Sequence, residues 1–576
     1  MMMNGLRSRT NPTGAGWALV AAIMVLAGCG PSRPTFDLPP EPIAYIDTLP
    51  SEQPKEREFN EVTRLLKVSI GGEIGYGFSL KRLVGALPEA LNVTRFDDVV
   101  NSSWYEHRIT GGNMTPDDVA RGPTTVGPDT SNVLTVVAGK AAGISPGFNV
   151  RDSRGNVFVI KFDPIGNLHL ASAAGVISSR LFHAAGYHTP EDFIIVFDSS
   201  KLALDPEAEI PVNGGGKRAM TYGDIRDELA RTDPLPDGRF LALASKFVPG
   251  RPMEPFFFDG VRKDDPNDYY LHQHRRELRG LYVVSSWLNH VDMRYANTLD
   301  VFIDPPGYVR HYLIDFAATL GSGTIRPHQP REGREYNFAF WPSLARMVTL
   351  GFYNQGWEDE EFQLIHPSIG WIPMETFDPG KWRANWPNGA FRLVTPADGY
   401  WGAKIVGSFS DDHIRAAVSE GGLPTPEVQN LLVEILKARR DKVLAYWCSR
   451  VTPIENVSTA LIESGGSRAL ELTFDDLGLA AGLSASHQTR YIWKFKDVYL
   501  DIEASGVSDA SSTQRQSLQI PFEASNDRMP GVDSSKATAT LHIDVERNGE
   551  RVKRDAVVTL RWEGAQKGYR VVGLRH

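Results

Sequence analysis

The stretch 288–323 constrains the fold more than any other part of the sequence. Two short apolar runs, Thr298–Ile303 and Val309–Ile314, flank the turn sequence Asp304-Pro305-Pro306-Gly307-Tyr308. Because Pro-Pro-Gly cannot continue a strand ladder, this pattern predicts two antiparallel strands joined by a tight hairpin. The second strand would then deliver Asp315-Phe316-Ala317 to a strand end.

Polar side chains stand on both sides of this hairpin. His290, Asp292 and Asn297 precede it, on a loop that is expected to follow a long amphipathic helix over 266–289, and Asp315 follows it. A carboxylate base, an amide ligand and a second carboxylate are the groups that magnesium-assisted phosphoryl transfer uses. The stretch is therefore the first candidate for a catalytic site.

A second interpretation assigns the same stretch to another class of enzyme. His290, Asp292, His311 and Asp315 could form the His/Asp site of a metal-dependent hydrolase, since imidazole and carboxylate groups are common metal ligands. His311 and Asp315 would share one face of a strand, because they lie an even number of residues apart. A buried polar network at the base of the loop would explain these residues without any chemistry.

A strand predicted over Val157–Phe162 carries a single lysine, Lys161, among apolar residues. Such a lysine is unusual unless its charge meets an anion, and the alternative is an edge-strand lysine that reaches solvent. Two further strands are predicted upstream, at 133–137 and 148–151, with Gly139, Gly143 and Gly147 between them. Three strands with a glycine-rich connection could form a flap over the phosphates of a nucleotide.

The order of these features resembles the protein-kinase-like superfamily. The catalytic loop of that superfamily reads His-x-Asp, with Asn five residues after the Asp, which is similar to His290-Val291-Asp292 and Asn297. Its magnesium motif, Asp-Phe-Gly, is similar to Asp315-Phe316-Ala317. The resemblance covers residues 130–320 and implies an α+β fold with two lobes. These are a small β-rich lobe over 131–250 and a larger α-helical lobe over 251–460.

The resemblance also implies roles for single residues. Asp292 would accept or orient the proton of an acceptor hydroxyl, and Asn297 and Asp315 would hold Mg²⁺ on the phosphates of ATP. Lys161 would pair with the phosphates. The remaining members of the expected site are the structural brace of the loop and two flap glycines, His290, Gly143 and Gly147.

Several departures from the superfamily pattern leave two functions open. Residues 168–190 contain no Asp or Glu that could orient Lys161; Asp163, on the same strand face, is the substitute that the sequence offers. Ala317 replaces the usual glycine, and no Ala-Pro-Glu sequence follows. The chain is therefore expected to be either an atypical kinase with an unknown acceptor or a catalytically inactive, pseudokinase-like binding protein.

The N-terminus has the pattern of an export signal. Arg7 and Arg9 precede the apolar run Trp17–Leu26, which is too short to span a membrane, and Leu26-Ala27-Gly28-Cys29 follows. These four residues resemble the lipobox of bacterial lipoproteins. The resemblance implies that residues 1–28 are a signal peptide, that Cys29 is lipidated and that the protein is anchored in the cell envelope. Gly30 in place of aspartate favours the outer membrane.

Length and charge limit the remaining organisation. A chain of 576 residues is expected to form more than one domain. Residues 29–61 are rich in proline and predict a tether, and residues 62–130 form an extension without an assigned role. The net charge of −9, without a long basic run, argues against a nucleic-acid partner. The expected partners are the membrane, through the lipid anchor, and a protein or small-molecule acceptor.

The C-terminal part, 465–576, changes to short strands with turn signals between them. Asn548-Gly549 is a strong hairpin turn. This spacing predicts an all-β sandwich of immunoglobulin-like type, with binding or spacing as its role.

Overall fold

The computed structural model describes residues 46–57, 87–140, 143–212, 215–464, 467–521 and 538–576. The predicted signal peptide, Cys29, most of the proline-rich tether and the first part of the 62–130 extension lie outside the described residues. Within these ranges the protein combines several β-sheets with α-helices, so its class is α+β. No helix of the described ranges is both long and apolar enough to cross a membrane.

The first sheet holds the predicted flap and the strand of Lys161. Its seven strands are β1 Leu134–Gly139, β2 Gly147–Arg151, β3 Val157–Phe162, β4 Asp192–Phe197, β5 Leu202–Pro211, β6 Lys217–Ala219 and β7 Phe240–Lys246. Their order across the sheet is β4-β7-β3-β2-β1-β5-β6. Neighbouring strands are antiparallel except for β1 and β5, which are parallel. The three predicted strands of the flap region are thereby confirmed.

Three helices accompany this sheet, α1 Pro116–Arg121, α2 Leu170–Ala184 and α3 Tyr222–Leu229. Apolar residues at 170, 174, 177, 181 and 185 predict a helix here, and α2 confirms it; α2 is buried almost throughout. Gly175, an unexpected residue in mid-helix, allows a close approach to the sheet, since a Cβ atom there would lie 2.9 Å from Cδ2 of Leu243. The helix therefore lies directly on the strand that neighbours the one with Lys161.

The long helix before the hairpin is shorter than predicted. Helix α4 spans Arg276–Leu288, whereas 272–274 form a separate turn of 3₁₀-helix. His272 is held in that turn by Asp268, whose Oδ2 lies 2.7 Å from its Nε2. The apolar spacing of the predicted helix 266–289 places Leu271 on its inner face, but Leu271 is 41% exposed. The helix ends at Asn289, whose φ of 52° turns the chain into the loop of His290 and Asp292.

The predicted hairpin is confirmed. Strands β9 Thr298–Ile303 and β10 Tyr308–Leu313 are antiparallel, and the short strand β8 Arg251–Pro252 pairs with β9. Thr298 lies opposite Leu313, and the N–H of Ile314 donates to the carbonyl oxygen of Asn297 at 3.0 Å. The register therefore places the end of the loop, Asn297, beside the residue that follows β10.

Helices α5 Phe340–Val348, α6 Pro396–Gly407, α7 Asp411–Ser419 and α8 Pro426–Cys448 follow the hairpin. Ser410 before Asp411-Asp412 and Thr425 before Pro426-Glu427 predict two helix starts. Both are confirmed, because these side chains accept hydrogen bonds at the starts of α7 and α8. Apolar residues of α2, α4, α6, α7 and α8 share one core with Phe316. That core is the support on which the hairpin ends rest.

The C-terminal strands form two sheets. They are β11 Ile454–Ser464, β12 Ser467–Asp476, β13 Thr489–Asp497, β14 Ile502–Asp509, β15 Arg515–Pro521, β16 Thr538–Arg547, β17 Glu550–Arg551, β18 Ala556–Trp562 and β19 Tyr569–Arg575, with a single turn of helix, α9 Leu477–Ala480, after β12. One sheet is β11-β12-β15 and the other β14-β13-β16-β18-β19, and their inward residues share one apolar core. The sequence pattern predicts a strand over 489–501, but β13 ends at Asp497. The Asp497 side chain accepts from the backbone N–H groups of Tyr499 and Leu500 and turns the chain into β14.

Candidate active site

Lys161 and Asp315 meet in the folded chain. The Nζ atom of Lys161 lies 2.8 Å from Oδ1 of Asp315, and their side chains are 16% and 38% exposed. Strand β3 lies between β7 and β2, so the alternative of an edge-strand lysine is wrong. Burial alone would raise the pKa of the Asp315 carboxyl, but the charges of Lys161 and Lys140 and the hydrogen bond from Lys161 bring it below its usual value. The charged pair lies at the end of β10, open on one side to solvent.

Asp315 owes its position to the backbone that follows β10. Its φ of 61° is in the left-handed region, which non-glycine residues adopt rarely and aspartate more readily than most. The next side chain, Phe316, is buried and stacks on Phe182 of α2 at 5.0 Å between ring centroids. Thr319 fixes the same segment, because its hydroxyl lies 2.6 Å from that of Ser178 on α2. The segment of Asp315 is therefore anchored to α2.

His290 packs beneath this segment. Its ring is fully buried, lies 5.7 Å from Phe182 and from Phe316, and its Nδ1 is 3.3 Å from the carbonyl oxygen of Ala318. Burial lowers the pKa of His290 to about 4, against the hydrogen bond to Ala318, which raises it. The imidazole is therefore neutral at physiological pH and joins the loop to the segment after β10.

Asp292 and Asn297 form the other side of the site. The amide nitrogen of Asn297 donates to the carboxylate of Asp292 at 2.9 Å and to its carbonyl oxygen at 2.8 Å. Nε of Arg294 lies 3.1 Å from the other carboxylate oxygen of Asp292. The Asp292 side chain is 26% exposed, so it is reachable from solvent. These contacts hold the side chain of Asn297 against Asp292, while its carbonyl oxygen accepts from Ile314, the residue before Asp315.

The suggestion that Asp163 orients Lys161 is wrong. The Asp163 carboxylate is fully buried and accepts hydrogen bonds from the backbone N–H groups of His169, Ala171 and Ser172 and from the Ser172 hydroxyl, at 2.6–2.9 Å. It acts as a cap for the N-terminus of α2, where unpaired N–H groups attract a carboxylate. Both of its oxygens are thereby occupied.

Another carboxylate, Asp192, lies on the sheet face of Lys161. Asp192 is opposite Ser245 of β7, which is opposite Val159, two residues before Lys161 on β3. Burial raises the pKa of Asp192 to about 6, although a hydrogen bond from Ser245 and the charge of Lys161 lower it. The sequence pattern missed this residue because its relation to Lys161 crosses two strands; the only signal was an acid at the start of an apolar strand.

The predicted flap glycines lie at the two ends of the described part of the β1–β2 connection. Gly147 begins β2 opposite Lys161, and a Cβ atom there would lie 2.0 Å from the carbonyl oxygen of Ile160. Its N–H donates to Glu228 of α3 at 2.7 Å. Gly143 has a φ of 86°, a conformation that side chains rarely adopt. Gly147 therefore requires glycine because of its contact with the strand of Lys161, and Gly143 because of its backbone conformation.

The four residues of the hydrolase hypothesis have separate partners. His311 is buried, and its Nδ1 lies 2.7 Å from Asp300, while its ring stacks on Trp104 at 3.5 Å. His290, Asp292 and Asp315 make the different contacts given above. Among the described residues, no group of three or more His, Cys, Asp or Glu could hold a metal ion.

Comparisons with known proteins add little. No protein-family model matches the sequence, and no curated protein matches it. Among solved structures, the chain is similar to the Helicobacter pylori proinflammatory kinase CtkA, at 9% sequence identity, over 55% of this chain and 97% of that chain. The TM-score is 0.27, which is too low to support an argument about fold or function.

Proposed function

We propose that this protein is an atypical kinase-like phosphotransferase that uses a Mg²⁺-bound nucleotide triphosphate such as ATP. The proposal includes a two-lobed body, with a β-rich lobe around the seven-stranded sheet and a helical lobe around α4, and a C-terminal β-sandwich. The observation that carries it is the 2.8 Å contact between Lys161 and Asp315. The sequence pattern had assigned both residues to one nucleotide site, although they are far apart in the chain.

The donor groups fit a magnesium ion. Asn297 and Asp315 offer amide and carboxylate oxygens, and Mg²⁺ commonly takes one or two protein carboxylates and completes its shell with phosphate and water oxygens. The bound ion would neutralise charge on the transferred phosphoryl group. Lys161, exchanging Asp315 for a phosphate oxygen, would hold the nucleotide. Asp292, exchanging Arg294 for the acceptor hydroxyl, would orient that hydroxyl or accept its proton.

A catalytically inactive, pseudokinase-like binding protein is the second candidate. It is favoured by the absence of any Asp or Glu in α2, the helix that covers the face of Lys161. It is favoured also by Arg294, which lies against the carboxylate of Asp292. In that case the cleft would bind a nucleotide or another anion without transferring phosphate.

A thermal-shift experiment tests whether the protein binds a nucleotide at all. We expect ATP with Mg²⁺ to raise the thermal midpoint of the wild-type protein by several degrees, because a ligand that binds only the folded state stabilises it. Asp315→Ala should lose the magnesium-dependent part of this shift. A wild-type protein whose midpoint does not respond to ATP and Mg²⁺ would rule out the phosphotransferase.

Phosphoryl transfer separates the two candidates. Asp292→Asn should retain the ATP-dependent thermal shift and lose at least 100-fold in transfer from γ-labelled ATP, roughly the contribution of a general base. Autophosphorylation and a panel of envelope extracts serve as acceptors. Binding that is equal in both proteins, with no transfer by the wild type, would favour the pseudokinase-like candidate.

We also propose that the protein is a lipoprotein of the cell envelope, with the outer membrane as the favoured location. The support is the sequence Leu26-Ala27-Gly28-Cys29, after a short apolar run. Cys29→Ala should move the protein from the membrane fraction to the soluble fraction and abolish incorporation of labelled fatty acid. Cys448→Ala is the matched control, since that cysteine is buried. Unchanged fractionation of Cys29→Ala would contradict the anchor.

A further inference from the structure

Lys140 is a second lysine at the cleft, directly after β1, and the proposed function gives it no role. Its Nζ donates to the hydroxyl of Ser145 at 2.6 Å and also to the carbonyl oxygen of that residue. Ser145 in turn lines a narrow cavity, too small to hold a water molecule, together with Lys161, Ala317 and Thr324. Lys140 is therefore bound inward, towards the cavity of Lys161, and is only partly exposed.

Lys140 differs from the other cations near this cavity because it has no carboxylate partner within the part of the chain that the structure describes. Lys161 pairs with Asp315 at 2.8 Å, and Arg231 pairs with Glu228 at 3.0 Å. Both contacts of Lys140 are to neutral oxygens of Ser145, and no carboxylate of the described chain forms an ion pair with it. Lys140 is thus a cation without a carboxylate partner among the described residues, whereas Lys161 contacts Asp315 and also lies on the sheet face of Asp192.

The neighbouring ammonium group of Lys161 makes the unpaired positive charge of Lys140 unfavourable. Burial, and then the positive charge of Lys161, lower the pKa of Lys140 to about 8, although Asp315 and Glu228 raise it. A partly buried ammonium beside another ammonium is stabilised when an anion binds to both. If Asp315 instead binds a metal ion, Lys161 also loses its ion-pair partner, and both lysines can then bind an anion.

We propose that Lys140 and Lys161 together bind a polyphosphate group, with Lys140 contacting one phosphate from the flap and Lys161 contacting its neighbour. This inference rests on the proposed nucleotide site and names the chemical class of its ligand, an anion with at least two adjacent phosphates. The simpler role for Lys140 is to hold the flap through Ser145. That role depends on the hydrogen bonds to Ser145, whereas phosphate binding depends on the positive charge.

Amine footprinting of the full-length protein tests this directly. Acylation of each lysine is followed by mass spectrometry, with inorganic tripolyphosphate, orthophosphate, ATP and adenosine as probes. An ammonium that contacts phosphate stays protonated and unreactive, so tripolyphosphate and ATP should slow acylation of Lys140 about tenfold, as for a rise of one unit in pKa. Phosphate bound against Lys161 should also shield that amine from the reagent. Lys246, paired with Glu191 at 3.0 Å in the same sheet, is the matched control and should not respond.

Variants of Lys140 and Ser145 distinguish phosphate binding by the Lys140 charge from a role of Lys140 in holding the flap. Lys140→Gln should weaken tripolyphosphate binding about tenfold, the effect of one hydrogen bond to a charged group, and Lys140→Arg should restore most of it. Ser145→Ala removes the hydroxyl contact and keeps the charge, so it should bind nearly as the wild type. Equal losses in Ser145→Ala and Lys140→Gln would show that Lys140 only holds the flap.

The outcomes also distinguish this inference from the proposed function. Protection of Lys161 alone, or of neither lysine, would overturn the inference, and equal protection by orthophosphate would overturn the assignment to a polyphosphate. Protection of both lysines in a protein that transfers no phosphate would leave the inference standing and remove the phosphotransferase.

Discussion

Two charged clusters of this molecule differ in how their charges are balanced. At the start of α4, Arg276 contacts Asp97 at 2.7 Å and Asp398 at 2.8 Å, and Arg279 contacts Asp398 at 3.0 Å. All of these side chains are buried, and each cation meets a carboxylate. In the cleft, Lys161 and Asp315 are partly exposed and Lys140 has neutral partners only.

This difference is the one expected between a structural network and the proposed binding site. A buried charge without a partner is strongly unfavourable, so an enclosed network must be complete within the protein. Charges near solvent can remain unbalanced, because water and ions screen them until a ligand arrives. We therefore expect substitutions in the first cluster to change the stability of the fold, and substitutions in the second to change binding.

The largest expected effect is on the α4 cluster. Asp398→Ala should lower the free energy of unfolding by roughly 3–5 kcal/mol, because it leaves Arg276 and Arg279 buried without their shared carboxylate. Urea unfolding followed by circular dichroism measures it. Asp118→Ala is a matched control, since Asp118 occupies the same capping-box position in α1 but its side chain is 30% exposed, and it should cost far less. An equal loss of unfolding free energy in both variants would mean that the capping-box role alone accounts for the effect of Asp398→Ala.

An intermediate effect is expected from the neutral group beneath the cleft, His290. The pKa of His290 is lowered to about 4 by burial, so below its ordinary value of about 6.5 only the unfolded chain binds the proton. Stability should therefore fall as the pH decreases from about 6.5 to 4, by roughly 2–4 kcal/mol from this residue. In His290→Gln this share of the fall should be absent. Urea unfolding at several pH values measures it, with exposed His487→Gln as the control.

An unchanged acid dependence in His290→Gln would contradict the burial of a neutral imidazole at this position. It would also weaken the view that His290 joins the loop of Asp292 to the segment of Asp315, since that role requires the ring to stay within the core.

The smallest effect on stability is expected in the cleft. Asp315→Asn should change the free energy of unfolding at pH 7 by at most about 1 kcal/mol, because the ion pair is partly exposed and screened. The lowered pKa of Asp315 means that this contribution is present above the ordinary carboxyl range and is lost as the pH falls through the folded pKa. Parallel urea unfolding of the two proteins measures it. A loss as large as that of Asp398→Ala would erase the distinction between the clusters.

The sequence predicted the local elements well, since their signals are local. The Pro-Pro-Gly turn ends a strand ladder wherever it occurs, and Ser410 and Thr425 cap the helices that follow them. The candidate residues Lys161 and Asp315 followed from the resemblance of motifs, and the fold brings their side chains together. The start of α4 was wrong because the contact between His272 and Asp268 shapes the chain there more than helical periodicity does.

The sequence did not predict which partner each charged group contacts. Asp163 lies on the expected face of β3, yet the nearest unpaired N–H groups belong to α2 and take both of its oxygens. Asp192 reaches the face of Lys161 only through the order of β4, β7 and β3. Lys140 carried no signal beyond its place among glycines.

The sequence by itself determined the hairpin, the amphipathic helices and the residue types that flank the strand ends, because turn chemistry and periodicity act over a few residues. Only the tertiary structure decided which carboxylate meets which cation. Charge pairing acts through space, and its strength depends on burial that is set by distant segments of the chain. That Lys140 has only neutral partners among the described residues can be seen only once all of these pairs have been assigned.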